Sequence, residues 1–146
     1  METSITGRLG GGWSTYLAAS WLNARYTGGA FAGNRMPGIP STHLFAELAW
    51  SHRPWGLETA AEFRRTGKIQ VDDANSDSAA AYSTVNLRVS LRQQAGRWAI
   101  SEFIRIDNLT GRRYSGSVIV NEGNRRFFEP APGRTWLAGV SASYTF

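Results

Sequence analysis

Extended segments separated by connections of strictly alternating length constrain this chain more than any single motif does. Six stretches, 13–27, 42–51, 57–71, 82–92, 98–109 and 133–146, place apolar residues at every second position. A two-residue period belongs to a strand, since a helix would scatter such residues around its circumference. The connections "HRPWG" (52–56) and "QQAGR" (93–97) are short and carry Pro or Gly, as tight hairpins require. Those at 28–41, 72–81 and 111–134 are long and polar or rich in Gly and Pro. In an up-and-down antiparallel sheet alternate connections lie at the same end, so the chain has a short-turn end and a long-loop end. Helix signals are missing, because no capping box precedes an apolar run of 3.6-residue period. The expected fold class is all-β: an antiparallel up-and-down barrel segment of about six strands over 13–146, with a short lead-in at 1–12.

The two faces of these segments differ in chemistry. Leu44, Ala46, Leu48 and Trp50 oppose His43, Glu47 and Ser51. Leu57, Ala61, Phe63 and Ile69 oppose Glu58, Glu62, Arg64 and Lys68, and Val85, Leu87, Val89 and Leu91 oppose Thr84, Asn86, Arg88 and Arg92. A half-solvated soluble sheet writes this pattern, and so does a lipid-facing wall around a wet lumen. Aromatic placement favours the second. Trp13, Trp50, Trp55, Trp98 and Phe146 fall at the short-turn end, and Tyr26, Tyr82 and Trp136 toward the long-loop end. Two aromatic bands around an aliphatic one are the interfacial girdles of a transmembrane barrel. Glu102 runs against the pattern: it shares a face with Trp98, Ile100, Ile104 and Ile106, where a carboxylate toward lipid is costly.

Catalytic and metal chemistry find little support. The chain has no cysteine, which removes disulfides and thiolate metal sites. Its net charge is +5, Lys68 is the only lysine, and the arginines are dispersed, so nucleic acid is not an expected partner. His43 and His52 sit on opposite faces of one strand and do not form a metal pair. Glu58 and Glu62 are about 13 Å apart along a strand, too far for a glycosidase pair, and read as ion pairs with Arg64, Lys68, Arg88 and Arg92. "GRLGGG" lacks the Gly-Lys-Ser/Thr ending of a phosphate loop, and "DDANSDS" lacks the closing Glu of a calcium loop. Neither an enzyme nor a resident cofactor is expected.

Three stretches resemble TonB-dependent outer-membrane receptors of the siderophore-receptor type. "GNRMPGIP" (33–40) is similar to the Asn-Arg-x-Pro-Gly-x-Pro segment ahead of a late barrel strand in that family. "IRIDNLTGRRY" (104–114) resembles a strand ending in Asn-Leu, a turn and a Tyr, with Thr110 and Gly111 where Phe-Asp or Thr-Asp is more usual. "VNEGNRRFFEPAPGRTWLAGVSASYTF" (120–146) resembles the last loop and closing strand. The resemblance implies that Tyr144 and Phe146 form the C-terminal signal read by the barrel-assembly machinery. It also implies a metal-chelate substrate such as a ferric siderophore, and TonB acting through a plug domain. Such barrels have about 22 strands, so closure here calls for the remaining barrel strands and plug, or for another copy of the chain.

At the long-loop end Arg35, Arg112, Arg113, Arg125 and Arg126 are the ligand-facing candidates, because a cationic vestibule raises the local concentration of an anionic chelate. Pairing with Glu122, Glu129 or lipopolysaccharide phosphates is the competing role for them. "METSITGRLGGG" has neither the basic nor the apolar region of a signal peptide, so placement in the Gram-negative outer membrane calls for a leader upstream of Met1. A soluble β-barrel that binds a small ligand, or a receptor remnant without function, would account for the same strands.

Overall fold

The computed structural model describes residues 1–146 and contains no α-helix. The strands are β1 (Glu2–Gly10), β2 (Trp13–Trp21), β3 (Thr42–His52), β4 (Leu57–Thr66), β5 (Ile69–Gln70), β6 (Ser78–Ala79), β7 (Tyr82–Ala95), β8 (Trp98–Asp107), β9 (Ser115–Val118), β10 (Phe128–Pro130) and β11 (Thr135–Tyr144). β1, β2, β3, β4, β7, β8 and β11 form one seven-stranded sheet in chain order, with every neighbouring pair antiparallel. The pairs β5–β6 and β9–β10 lie within the long loops.

The main sheet has one strand more than the six expected. Residues 1–12 are not a lead-in, because Glu2–Gly10 pairs with β2 from Glu2 opposite Ser20 to Gly10 opposite Trp13. Its period is muted by Ser, Thr and Gly, leaving only Ile5 and Leu9 as large apolar markers. The segments expected to run on to Thr27, Val71 and Leu109 stop earlier, at Trp21, Thr66 and Asp107. β1 and β11 are the two edges, they do not pair with each other, and both run from the long-loop end to the short-turn end. The barrel is therefore open.

Register fixes the faces. Leu17, Ala46, Phe63 and Val85 form one row, and Thr15, Leu48, Ala61, Leu87, Ile106 and Trp136 another, all on the apolar side. Tyr16, Glu47, Glu62 and Asn86 form a row on the other side. The usual burial order is inverted between them. Glu62, Thr66, Thr84 and Asn86 are buried, whereas Leu48, Val89, Ile104 and Val140 are exposed. Soluble domains rarely leave so large an apolar surface open to water. The wet, enclosed side is the inner face. Glu102 stands on the apolar side opposite Leu91 and Val140, as the alternation implied.

The inner face is held by ion pairs. Arg105 reaches across β7 and donates from Nη1 and Nη2 to Glu62 Oε1 and Oε2 at 2.8 and 3.0 Å. Arg64 and Asn86 each donate to Glu62 Oε2 at 3.2 Å, and Arg105 Nε donates to Asp107 at 2.9 Å. Arg88 pairs with Glu58 at 3.1 Å. Of the cations expected beside Glu58 and Glu62, Lys68 and Arg92 make no ion pair, while Arg105 takes the central place.

At the short-turn end Gly56 closes the Arg53–Trp55 turn at φ 64°, and a Cβ there would stand 1.8 Å from the Arg92 carbonyl oxygen. Gly56→Ala is expected to lower the unfolding free energy by about 2 kcal/mol, read from the urea midpoint of the detergent-folded chain. Gly96→Ala, at φ 61° but with open surroundings, should lose clearly less.

Candidate functional site

The long loops are not independent of one another. Asp73, between β4 and β7, accepts a hydrogen bond from Tyr26 Oη at 2.5 Å and another from Asn121 Nδ2 at 3.0 Å. Its backbone N–H donates to Asn121 Oδ1 at 3.1 Å, and its carbonyl accepts from Asn34 Nδ2 at 2.9 Å. One acidic residue thus joins all three loops. Four of the five buried apolar residues lie in these loops: Val71 has no exposed surface, and Ile69, Ala79 and Phe127 are buried. The hydrophobic core sits among the loops rather than between layers of sheet.

Three asparagines in these loops take the left-handed conformation, and two of them, Asn75 and Asn121, bond from one loop to another. Asn75, Asn108 and Asn121 have φ of 57°, 50° and 56°. Asparagine tolerates this region because its short carboxamide can bond to nearby backbone. Asn75 brackets Arg35, accepting from its N–H at 2.8 Å and donating to its carbonyl at 2.7 Å. Asn108 brackets Arg112 in the same way, at 2.9 and 2.8 Å.

The five candidate arginines all lie at the long-loop end, in separate settings. Arg35 is half-buried against the Asn75 turn, while Arg112 and Arg113 are exposed at the foot of the last loop. Arg125 and Arg126 are exposed at a turn closed by Glu122, which accepts the Arg126 N–H at 2.8 Å. None of the five side chains forms an ion pair. Glu122 is taken up by backbone and Asn124 donors, and Glu129 accepts from Ser117. Inward of the loops, a recess of about 540 Å³ is bordered by Arg64, His43, Phe45 and the stacked rings of Tyr82 and Tyr114, 3.9 Å apart. At the other end Tyr144 lies 5.0 Å from Trp98 and 5.2 Å from Phe146, ring centre to ring centre.

The Asp73 junction gives the loops a pH dependence. Accepting its proton by hydrogen bond, with the carboxylate charge close by, raises the Tyr26 pKa above its ordinary 10.0. A group whose folded pKa is raised stabilises the fold fully below its unfolded pKa, and that contribution is lost as pH climbs through the folded value. Amide exchange at Asn121 and Gly38, monitored against intrinsic exchange, is expected to accelerate above pH 10 in the wild type. Tyr26→Phe should show the faster exchange already at neutral pH.

Comparison with known proteins follows the same lines. Residues 1–112 match the family described as TonB dependent receptor-like, beta-barrel. Three solved structures are similar over nearly the whole chain. The ferric preacinetobactin receptor BauA of Acinetobacter baumannii gives a TM-score of 0.79 at 14% identity over 95% of this chain. The siderophore receptor PiuA of the same organism gives 0.76 at 18% over 97%. The ferric yersiniabactin uptake receptor FyuA of Yersinia pestis gives 0.75 at 21% over 97%. The chain spans 21%, 21% and 22% of those proteins' lengths, and at such identities the likeness is one of fold.

Proposed function

This chain belongs to the TonB-dependent receptor-like β-barrel family, and from that premise we propose that it forms part of the wall of an outer-membrane receptor for uptake of a metal chelate of the ferric siderophore class. The inverted burial carries the proposal: a sheet that encloses Glu62 and Asn86 and bares Leu48 and Val140 suits lipid outside and water within. β11 is the closing strand, with Tyr144 and Phe146 as the signal for the barrel-assembly machinery. The rest of the barrel and the plug complete the receptor, and TonB acts through the plug. Arg35, Arg112, Arg113, Arg125 and Arg126 contribute to a cationic vestibule supported by their freedom from ion pairs. The recess beside the Tyr82–Tyr114 stack, bordered by Arg64 and Asp107 alike, is a seat for a partly aromatic ligand. Binding and transport, not catalysis, are its work.

The test is fractionation of a Gram-negative host expressing the chain behind a signal peptide. Retention in the outer-membrane pellet after urea, which solvates the apolar and peptide groups that hold peripheral proteins, is the expected result. Release into the supernatant would instead favour a soluble ligand-binding barrel. Deletion of Phe146 is expected to lower the urea-resistant fraction severalfold.

A further inference from the structure

The short-turn end carries a polar surface that neither the ion-pair network nor the loop arginines use. Recesses of about 880, 550 and 220 Å³ lie along this rim, and Arg53 borders all three. Arg8 and Arg92 border it as well, among the hydroxyls of Ser14, Ser51 and Ser101. Arg8, Arg53 and Arg92 make no side-chain ion pair. The only carboxylate among the bordering groups is Glu58, already held by Arg88 at 3.1 Å. The long-loop end differs, because Asp72, Asp73, Asp77, Glu122 and Glu129 share it with the arginines.

Spacing selects the kind of anion. Arg8 is on β1 and Arg92 on β7, four strand positions away, or about 19 Å at the usual strand separation. A small anion needs donors that converge on one point, and Arg8 and Arg92, which border different recesses, do not. An extended chain rising about 3.3 Å per residue crosses that distance in roughly six residues. Serine hydroxyls between the arginines can donate to carboxylates or backbone carbonyls alike.

We propose that the inner rim at the short-turn end, through Arg8, Arg53 and Arg92, docks an extended acidic polypeptide segment. The proposal rests on the polar face being the lumen of the receptor wall. Exposed guanidinium–carboxylate contacts are individually weak, so the segment is held by several contacts and is released readily.

The experiment uses the full 146-residue chain folded in detergent, with fluorescein-labelled hexaglutamate as probe and anisotropy as readout. Wild type should bind hexaglutamate in a salt-dependent manner, and Arg53→Glu/Arg92→Glu should weaken it by about tenfold or more. Arg53→Gln/Arg92→Gln should give an intermediate loss. The charge-matched Arg65→Glu/Lys68→Glu, away from this rim, should bind as wild type does; far-UV dichroism establishes that each variant is folded. Equal binding by the Arg53/Arg92 variants, or equal binding of hexalysine, overturns the proposal. Citrate or inorganic phosphate binding as tightly as the peptide overturns it in favour of a small-anion site. Urea-resistant membrane retention is scored alongside: retention without arginine-dependent binding removes this site alone. Binding without retention removes the receptor assignment and the rim's place in a lumen, and keeps only the arginine-dependent affinity for acidic peptide.

Discussion

Glu62→Ala is expected to lower the unfolding free energy of the detergent-folded chain by about 3 kcal/mol, the largest loss for any single inner-face side chain. The carboxylate receives both Arg105 Nη atoms, Arg64 and Asn86, and only 7% of its side chain is exposed. Removing it leaves Arg105, itself 22% exposed, with Asp107 as its one remaining carboxylate. It also cuts a tie that spans β4, β7 and β8. Glu58→Ala is the contrast: Glu58 and Arg88 are 39% and 38% exposed, and such a pair contributes under about 1 kcal/mol. Urea titration followed by tryptophan fluorescence measures both. Similar losses for the two variants would show that the Glu62 network is no more than a set of solvated pairs.

Leu48→Arg is expected to destabilise the chain in lipid by about 3 kcal/mol, whereas Glu47→Arg, one residue away, should be nearly neutral. Leu48 lies mid-strand on the apolar side, in register with Thr15 and Ala61. Glu47 points to the opposite side, where its cross-strand neighbour is Glu62 and an added cation relieves a like-charge pair. Val140→Arg should cost less than Leu48→Arg, because Val140 stands directly opposite Glu102. Reversible unfolding from phospholipid vesicles gives the comparison. If water wetted the apolar side, Leu48 at 44% exposure would accept arginine at under about 0.5 kcal/mol. Tolerance of Leu48→Arg would therefore count against membrane insertion.

The side of the sheet on which each residue falls was legible in the sequence, because a two-residue period is a local property. Partners were not. Glu58 and Glu62 read as ion-paired, yet Arg105 is the principal partner of Glu62 and lies two strands away, across Asn86. No local spacing links residues 62 and 105. β1 is faint in the sequence because an edge strand made of Ser, Thr and Gly has few apolar markers. Ile69 and Val71 continue the strand period in sequence but turn into the loop core. A signal for the loop junction is present in Asn75 and Asn121, which take the left-handed conformation in the loops. The sequence placed the five arginines at one end but could not show that backbone brackets, rather than carboxylates, hold Arg35 and Arg112.

The shared direction of β1 and β11 decides what can lie beside them. A ring whose neighbours are all antiparallel has an even number of members. Seven strands therefore accept only an odd-numbered complement, beginning and ending on strands that rise from the short-turn end. Identical copies inserted with their loops on the same side of the membrane would bring β11 of one against β1 of the next as parallel neighbours. Each such seam would replace the antiparallel ladder by a parallel one, whose slanted bonds are slightly less stable per residue. The two open edges thus suit an oppositely directed partner strand better than they suit each other or a second copy.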